Sequence, residues 1–293
     1  MKIAIIGAGA VGTWYGGWLA MEGHDVVLVA RGQTLEFLRE HPVTLRNSSN
    51  KWQVRMPVVE DLLSLENVDA VFLATKSLQG SYLPDQLPDG AVLVTMQNSV
   101  EMPQLAIEKF GAHRVIPAVV RAFLTKTAIG ETLHDGNLQS LTFGSVDPAT
   151  QHQVLQLEQA FAQTPISPIV VEDILADVWR KAMFVTSLGL LGALVGQPAG
   201  VLRTRYRTSL ENLMREVQVV AAAHGVELGA DAVERMLEFV DKQDGLSTTS
   251  MQRDIMAKSS NELDAQAGAI VRMAEQVGIE PVGYRLAVEA LSF

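Results

Sequence analysis

An apolar run that ends in three spaced glycines constrains this chain more than any other feature. Lys2-Ile3-Ala4-Ile5-Ile6 leads straight into Gly7-Ala8-Gly9-Ala10-Val11-Gly12. A short apolar run bounded by glycine reads as a buried strand. Helical periodicity follows over 10–22, and a second apolar run covers 24–30. The order is strand, glycine turn, helix, strand, which is a βαβ unit. In that setting G-x-G-x-x-G has a mechanism. Gly7 permits the tight turn, Gly9 lets backbone approach a pyrophosphate, and Gly12 lets helix pack on strand. The helix start offers unpaired N–H groups and a positive dipole end to phosphates. Gly7, Ala8, Gly9, Ala10, Val11 and Gly12 are therefore the expected dinucleotide-binding residues. The alternative is a glycine turn that serves packing alone.

The rest of the first half repeats the pattern. Residues 69–75, 91–96 and 115–122 read as strands, and 33–40 and 101–110 as helices. Continuous apolar strands alternating with helices predict a parallel sheet covered on both faces. Residues 123–147, punctuated by Gly130, Asp135-Gly136 and Gly144, predict short antiparallel edge strands. A helix over 150–162 and a strand at 169–171 follow, with the Thr164–Pro168 segment breaking helical order. Beyond Glu172 the periodicity is helical: 172–195, 205–225, 230–241, 249–277 and 281–291. The expected fold class is α/β. A Rossmann-type, mostly parallel dinucleotide domain spans 1–170, and an all-helical domain spans 171–293. The helical domain is expected to supply catalytic and substrate groups, and its long helices suit a homodimer.

The formal net charge over 293 residues is -10, without basic blocks. That argues against a nucleic-acid partner, which calls for a basic stripe. There is no cysteine. Disulfides, thiolate chemistry and cysteine-ligated metal are excluded, and no metal site is expected. The apolar N-terminus lacks the h-region and cleavage site of a signal peptide, so the expected location is cytoplasmic. The run Ala182–Val195 falls short of the ~20 residues a bilayer crossing needs. Interrupted by Gly189 and Gly192, it reads as a buried helix with close backbone contacts rather than a membrane span.

Residue type at the second strand end selects the cofactor. NAD-specific enzymes carry Asp or Glu there for the ribose hydroxyls. This chain has Ala30-Arg31-Gly32. Arg31 can pair with a 2′-phosphate through a charge-assisted fork, whereas a carboxylate would repel it. NADP is thus the expected cofactor, unless Arg31 is an ordinary surface charge. Lys76 and Gln97-Asn98-Ser99 follow the strands ending at Thr75 and Met96. Ligands collect beyond the carboxyl ends of such strands, so both are candidate contacts as well as ordinary loop residues.

These residues, together with Trp179-Arg180-Lys181, Thr249-Ser250-Met251-Gln252-Arg253-Asp254 and Asn261-Glu262-Leu263-Asp264, carry a resemblance. The chain resembles the ketopantoate reductase (2-dehydropantoate 2-reductase) family along its whole length. The resemblance implies NADPH-dependent reduction of a small-molecule 2-oxo acid to a 2-hydroxy acid, as in pantothenate biosynthesis. It implies that Lys181 is the proton donor and that Glu262 lies near the nicotinamide and positions the lysine. It also implies that Asn98 and Ser250 hold cofactor and substrate, and that backbone at Ala122 meets the cofactor. The chain departs from the family pattern in places. Ser99 replaces the glycine of the family's Gln-Asn-Gly. Val185, Gly189 and Ala199 fall where the family places substrate-binding asparagines.

The residues argue in the same direction. Hydride delivered to a 2-oxo carbon creates an alkoxide that needs a proton. Six histidines, His24, His41, His113, His134, His152 and His224, lie outside any recognisable catalytic motif, which leaves lysine. Lys181 sits among Ile174, Leu175, Val178, Ala182, Met183 and Val185. Desolvation would bring such a lysine toward general-acid strength. It could equally snorkel to solvent beside the apolar stripe. Val185 shares a face with Lys181, one turn on, which predicts an apolar substrate side chain there. Such a substrate also suits a D-2-hydroxy acid dehydrogenase. A non-catalytic NADP-binding sensor is the alternative of another class. Ser250 could instead cap its helix, and Glu262 could pair with Lys258.

Overall fold

The structure is a computed structural model that describes residues 1–78 and 83–292. Its chain divides into two compact units. The first comprises Met1–Lys76, 83–97 and Met102–Ile174; the second comprises 77–78, Asn98–Glu101 and 175–292.

The first unit is built on one ten-stranded sheet. Strand β1 (Lys2–Ile6) leads into helix α1 (Ala10–Met21), then β2 (Asp25–Val29) and helix α2 (Gly32–Glu40). Strands β3 (Val43–Arg46), β4 (Lys51–Val54) and β5 (Val58–Val59) come next, followed by β6 (Ala70–Leu73) and β7 (Val92–Thr95). Helix α3 (Glu101–Phe110), strands β8 (Val115–Ala128) and β9 (Glu131–Phe143), helix α4 (Gln151–Phe161) and strand β10 (Ser167–Val170) complete the unit. The sheet order is β4-β3-β9-β8-β7-β6-β1-β2-β5, with β10 also pairing with β9. The β8–β7–β6–β1–β2–β5 half is parallel throughout.

Alternation along these strands feeds two cores, one on each face. Ile3, Ile5, Phe72, Val92 and Val94 join one cluster, while Ala4, Val71, Leu73 and Leu93 join the other. A strand buried on both faces must be apolar at every position, hence the unbroken KIAII and AVFL runs.

Residues 123–147 differ from expectation. Instead of short edge strands, β8 and β9 form one long antiparallel hairpin with register shifts after Ala122 and Lys126. Gly130 (φ +71°) makes its turn. Gly136 (φ +75°) lies in a bulge between Asp135, opposite Phe123, and Gln139, opposite Ala122. A bulge absorbs extra residues without ending the ladder, so the glycines mark bends rather than strand ends. Strand β9 is interior, flanked by β3 and β8. Strands β3–β5 carry no sequence signal strong enough to have been anticipated.

The second unit is helical. It contains α5 (Ile174–Val195), α6 (Ala199–Arg205), α7 (Arg207–Ala223) and α8 (Ala232–Asp241), then α9 (Ser250–Met256), α10 (Ala269–Gln276) and α11 (Val282–Leu291). The helix expected over 205–225 is α7, Arg207–Ala223. A short helix ahead of it, α6, has no counterpart in the sequence reading: Pro198 caps it from Ala199, and Tyr206 (φ −113°, ψ 20°) separates it from α7. The continuous helix expected over 249–277 is broken. Lys258 takes a left-handed φ of +52°, and the Ser259 N–H and hydroxyl both bond back to the Asp254 carbonyl. Serine and asparagine compete with helix in this way. The chain re-enters helix through a π-helical turn, Asp264–Gly268.

Among the described residues, Ile174–Val195 is the one helix long and apolar enough to cross a membrane by length and composition. Of its most apolar window, 61% is buried inside the protein, the pattern of a core helix.

Candidate functional site

The glycine turn in the first unit is shaped by contacts that only glycine allows. Gly7 has φ +106°, and a β carbon there would lie 2.7 Å from the Thr75 nitrogen. A β carbon on Gly12 would lie 2.0 Å from the Gly7 carbonyl oxygen. Gly9 differs: a β carbon there would meet nothing within 4 Å. The space above Gly9 is open on the protein's own account. Gly9 is the N-cap of α1 without a side-chain cap, and its carbonyl accepts the first helical bond, from Thr13 at 3.0 Å. The N–H groups ahead of Thr13 have no intrahelical partner, and no acidic residue occupies the first turn. This is an anion cradle of the kind a pyrophosphate fills.

Arg31 sits directly after β2, as the N-cap of α2, and is exposed. Its side chain makes no ion pair among the described residues. The cradle fits the pyrophosphate of a dinucleotide, and Arg31 places a cation at the end of the neighbouring strand. The ends of β6 and β7 are tied to each other: Gln97 Nε2 donates to the Thr75 carbonyl and hydroxyl, each at 3.1 Å. The Gln97 Oε1 and the Thr95 hydroxyl are buried without a hydrogen-bond partner. Ala122 stands at the register shift of β8, half-buried. Lys76 closes the β6 segment and is engaged by a partner of its own.

In the second unit three of the sequence-selected residues fall in two hydrogen-bonded groups. Lys181 lies on α5, half-buried, and its Nζ donates to Asn98 Oδ1 at 2.6 Å. The Trp179 side chain, 3% exposed and stacked near His224, anchors this stretch of helix. The Lys181 ammonium thus has an amide oxygen as one of its partners. Glu262 is 8% exposed. Its carboxylate accepts from the Ser77 N–H at 2.9 Å and from Gln266 Nε2 at 3.3 Å. A buried carboxylate needs such donors, because an unpaired one costs several kcal/mol. Lys258 is not its partner. A direct hydrogen bond between Glu262 and Lys181 is also absent among the described residues, so any influence of one on the other passes through space or through neighbours. The Ser77 hydroxyl beside Glu262 is buried and unpartnered.

Ser250 is not the cap of α9. Thr249 is: its hydroxyl accepts from the Gln252 N–H at 3.1 Å. Ser250 is the first helical residue and is exposed. Val185 is half-buried on α5. At Gly189 a β carbon would lie 2.5 Å from Thr249 Oγ1 and 2.8 Å from Met251 Cε, so a larger side chain would have to displace both. Ala199 is fully buried, and its N–H donates to the Ser247 carbonyl. Both are packing positions here. Ser99 is buried, and it does not share the positive φ found at Asn67 and Lys258, so a β carbon is tolerated where the family has glycine.

Sequence reasoning missed Ser77, Glu101, Gln266 and Arg272. Arg272 forks onto Glu101, with Nε to Oε1 at 3.0 Å and Nη2 to Oε2 at 2.7 Å. Its partner lies 171 residues away, and no local pattern announces such a pair.

Known proteins match this chain along nearly its whole length. A family profile described as Ketopantoate reductase PanE/ApbA matches residues 3–148. A second, described as Ketopantoate reductase PanE/ApbA C terminal, matches 173–291. The chain is 29% identical to a 2-dehydropantoate 2-reductase of Caulobacter vibrioides over 99% of this chain and 98% of that one. It is 26% identical to one of Pyrococcus abyssi, over 96% and 93%. The crystal structure of 2-dehydropantoate 2-reductase from Methylococcus capsulatus superposes with a TM-score of 0.89 at 25% identity, covering 99% and 96%. A ternary structure of D-mandelate dehydrogenase with NADH and anilino(oxo)acetate superposes with a TM-score of 0.85 over 99% and 97%. At 18% identity that likeness is one of fold.

Proposed function

The chain belongs to the ketopantoate reductase family, and on that premise we propose that it reduces the keto group of a 2-oxo acid with NADPH. It is an oxidoreductase acting on a CH–OH group and uses a nicotinamide cofactor, in keeping with its family. The observation that carries the finer reading is the Lys181–Asn98 bond. It holds a lysine ammonium in a set position on a helix whose following residues, Ala182 to Val185, are apolar.

The assignment of parts follows the family resemblance, and the local geometry supports it at the glycine turn and at Lys181. Residues Gly7 to Gly12 hold the pyrophosphate, with Gly9 leaving the room. Arg31 takes the 2′-phosphate and sets the preference for NADPH over NADH. When bound, the cofactor supplies the hydride. Lys181 supplies the proton that the nascent alkoxide needs, as a general acid. Asn98 fixes the direction in which the ammonium points and, with Ser250, contacts substrate. The Ser77 and Gln266 donors hold the Glu262 carboxylate in place, near the nicotinamide, where it helps position the lysine. Lys76 and Ala122 complete the cofactor contacts. The dinucleotide part is read as 1–170 and the helical part as 171–293.

Ketopantoate is the best single substrate on the family's evidence. A second reading is favoured by Val185 and Gly189. Neither offers an amide, and Thr249 and Met251 already fill the space at Gly189. On that reading the preferred 2-oxo acid has an apolar side chain. The experiment is a steady-state panel of 2-oxo acids, ketopantoate among them, run with NADPH and NADH in parallel. Turnover of ketopantoate above all others supports the first reading, and preference for branched or aromatic 2-oxo acids supports the second. Absence of turnover with every acid overturns both and leaves a nucleotide-binding protein.

A further inference from the structure

We infer that Arg272 is a positioning residue for the reaction, tying the loop that carries Asn98 to the turn that carries Glu262. The inference rests on the reading of Lys181 and Asn98 given above.

Arg272 lies on α10 and satisfies two carboxylates at once. Toward Glu101 it makes three contacts: Nε to Oε1 at 3.0 Å, Nε to Oε2 at 3.2 Å and Nη2 to Oε2 at 2.7 Å. Toward Asp264 it makes two: Nη1 to Oδ1 at 2.8 Å and Nη2 to the carbonyl oxygen at 3.2 Å. Only a planar guanidinium has enough fixed donors for this arrangement; a lysine ammonium is a point charge without the fork.

The positions of the two carboxylates give the clamp its meaning. Glu101 lies three residues after Asn98 and opens α3, where a negative charge also suits the helix dipole. Asp264 lies two residues after Glu262 and opens the π-helical turn. The side chain of Glu101 is 14% exposed, against 64% for Asp264. The Glu101 contact is therefore the one sheltered from water, and losing its partner would leave a poorly hydrated carboxylate next to the Asn98 loop. Such a group moves toward solvent and takes its loop along. Gly268 keeps the clamp clear: a β carbon there would lie 3.0 Å from Asp264 Oδ1 and 3.2 Å from Arg272 Nη1. Asn98 thus points at Lys181 because Glu101 is pinned.

The test is a double-mutant cycle on the full-length enzyme with its best 2-oxo acid. R272Q is expected to lower kcat/KM about tenfold in the wild-type background and less than about twofold in N98A, since coupled residues are non-additive. R272K should recover little of the loss. E101Q, which cuts the same contact from the other side, should reproduce the coupling if R272Q folds poorly. A loss of equal size in both backgrounds, or no loss in either, overturns the inference. Amide hydrogen exchange gives a readout that needs no activity. R272Q should speed exchange at 98–101 and 262–266 while leaving the β1–α1 segment unchanged. If the wild type turns over no 2-oxo acid, the functional reading fails on its own. Exchange at 98–101 then still decides the clamp, and an unchanged rate there refutes it.

Discussion

Lys181 and Asn98, 83 residues apart in sequence, meet in a hydrogen bond of 2.6 Å from Nζ to Oδ1. A charge-assisted bond of this kind contributes about 1.5–3 kcal/mol. Truncating the acceptor is expected to affect catalysis by a similar energy, because it frees the ammonium to rotate. N98A should therefore lower kcat by about 10- to 100-fold at 1.36 kcal/mol per decade, beyond any effect on NADPH binding, since Asn98 is also a candidate cofactor contact. Stopped-flow single turnovers with saturating NADPH read this directly. A kcat within twofold of wild type would show that the lysine is oriented by something else.

The glycines of the N-terminal turn are expected to separate folding from binding. G12A forces a β carbon to 2.0 Å from a carbonyl oxygen of Gly7. It should destabilise the first unit by about 1–3 kcal/mol or more, the scale of overpacking, visible as a lower Tm. G9A meets nothing within 4 Å, so it should melt like the wild type. Its methyl group would project into the space assigned to the pyrophosphate, and NADPH fluorescence titration should show weakened binding. Wild-type affinity in G9A would place the phosphates elsewhere.

Arg31 is exposed at the end of β2. R31A should raise the KM for NADPH by about tenfold or more, the value of a lost charge-assisted fork of roughly 1.5–3 kcal/mol. The KM for NADH should hardly move, since NADH lacks the phosphate. Equal effects on both cofactors would assign Arg31 a general rather than a phosphate-selective role.

Val185 stands one helical turn beyond Lys181 and is half-buried. V185N should shift the ratio of kcat/KM values toward hydroxylated 2-oxo acids by about 1–3 kcal/mol, the discrimination available from one pocket position. G189N, by contrast, should simply destabilise the protein, because Thr249 and Met251 occupy its space. Thermal melts distinguish the two: V185N should keep its Tm and G189N should lose several degrees.

Much of this was legible in the chain, for physical reasons that differ from place to place. The β1–α1–β2 unit could be read because each signal is local: an apolar run, glycines at fixed offsets, then helical periodicity. Lys181 stood out as a charge among apolar neighbours on one helix. The β8–β9 hairpin was misjudged because a bulge glycine and a turn glycine look alike in sequence; only pairing tells them apart. The helix over 249–277 was read as continuous because its apolar stripe resumes in phase after the break. Lys258 and Asn261 interrupt it without proline or glycine. The Glu101–Arg272 clamp and the filling of Gly189 by Thr249 lay outside sequence reach, since both depend on contacts between segments far apart along the chain.

The central claim is that Lys181 gives its proton to the product alcohol. The most direct measurement is turnover of NADPH by K181M against wild type with the best 2-oxo acid, alongside the Kd for NADPH. The account predicts a fall in kcat of about 10²- to 10⁴-fold, the usual worth of a general acid, with NADPH bound as before. Turnover by K181M at the wild-type rate would contradict it.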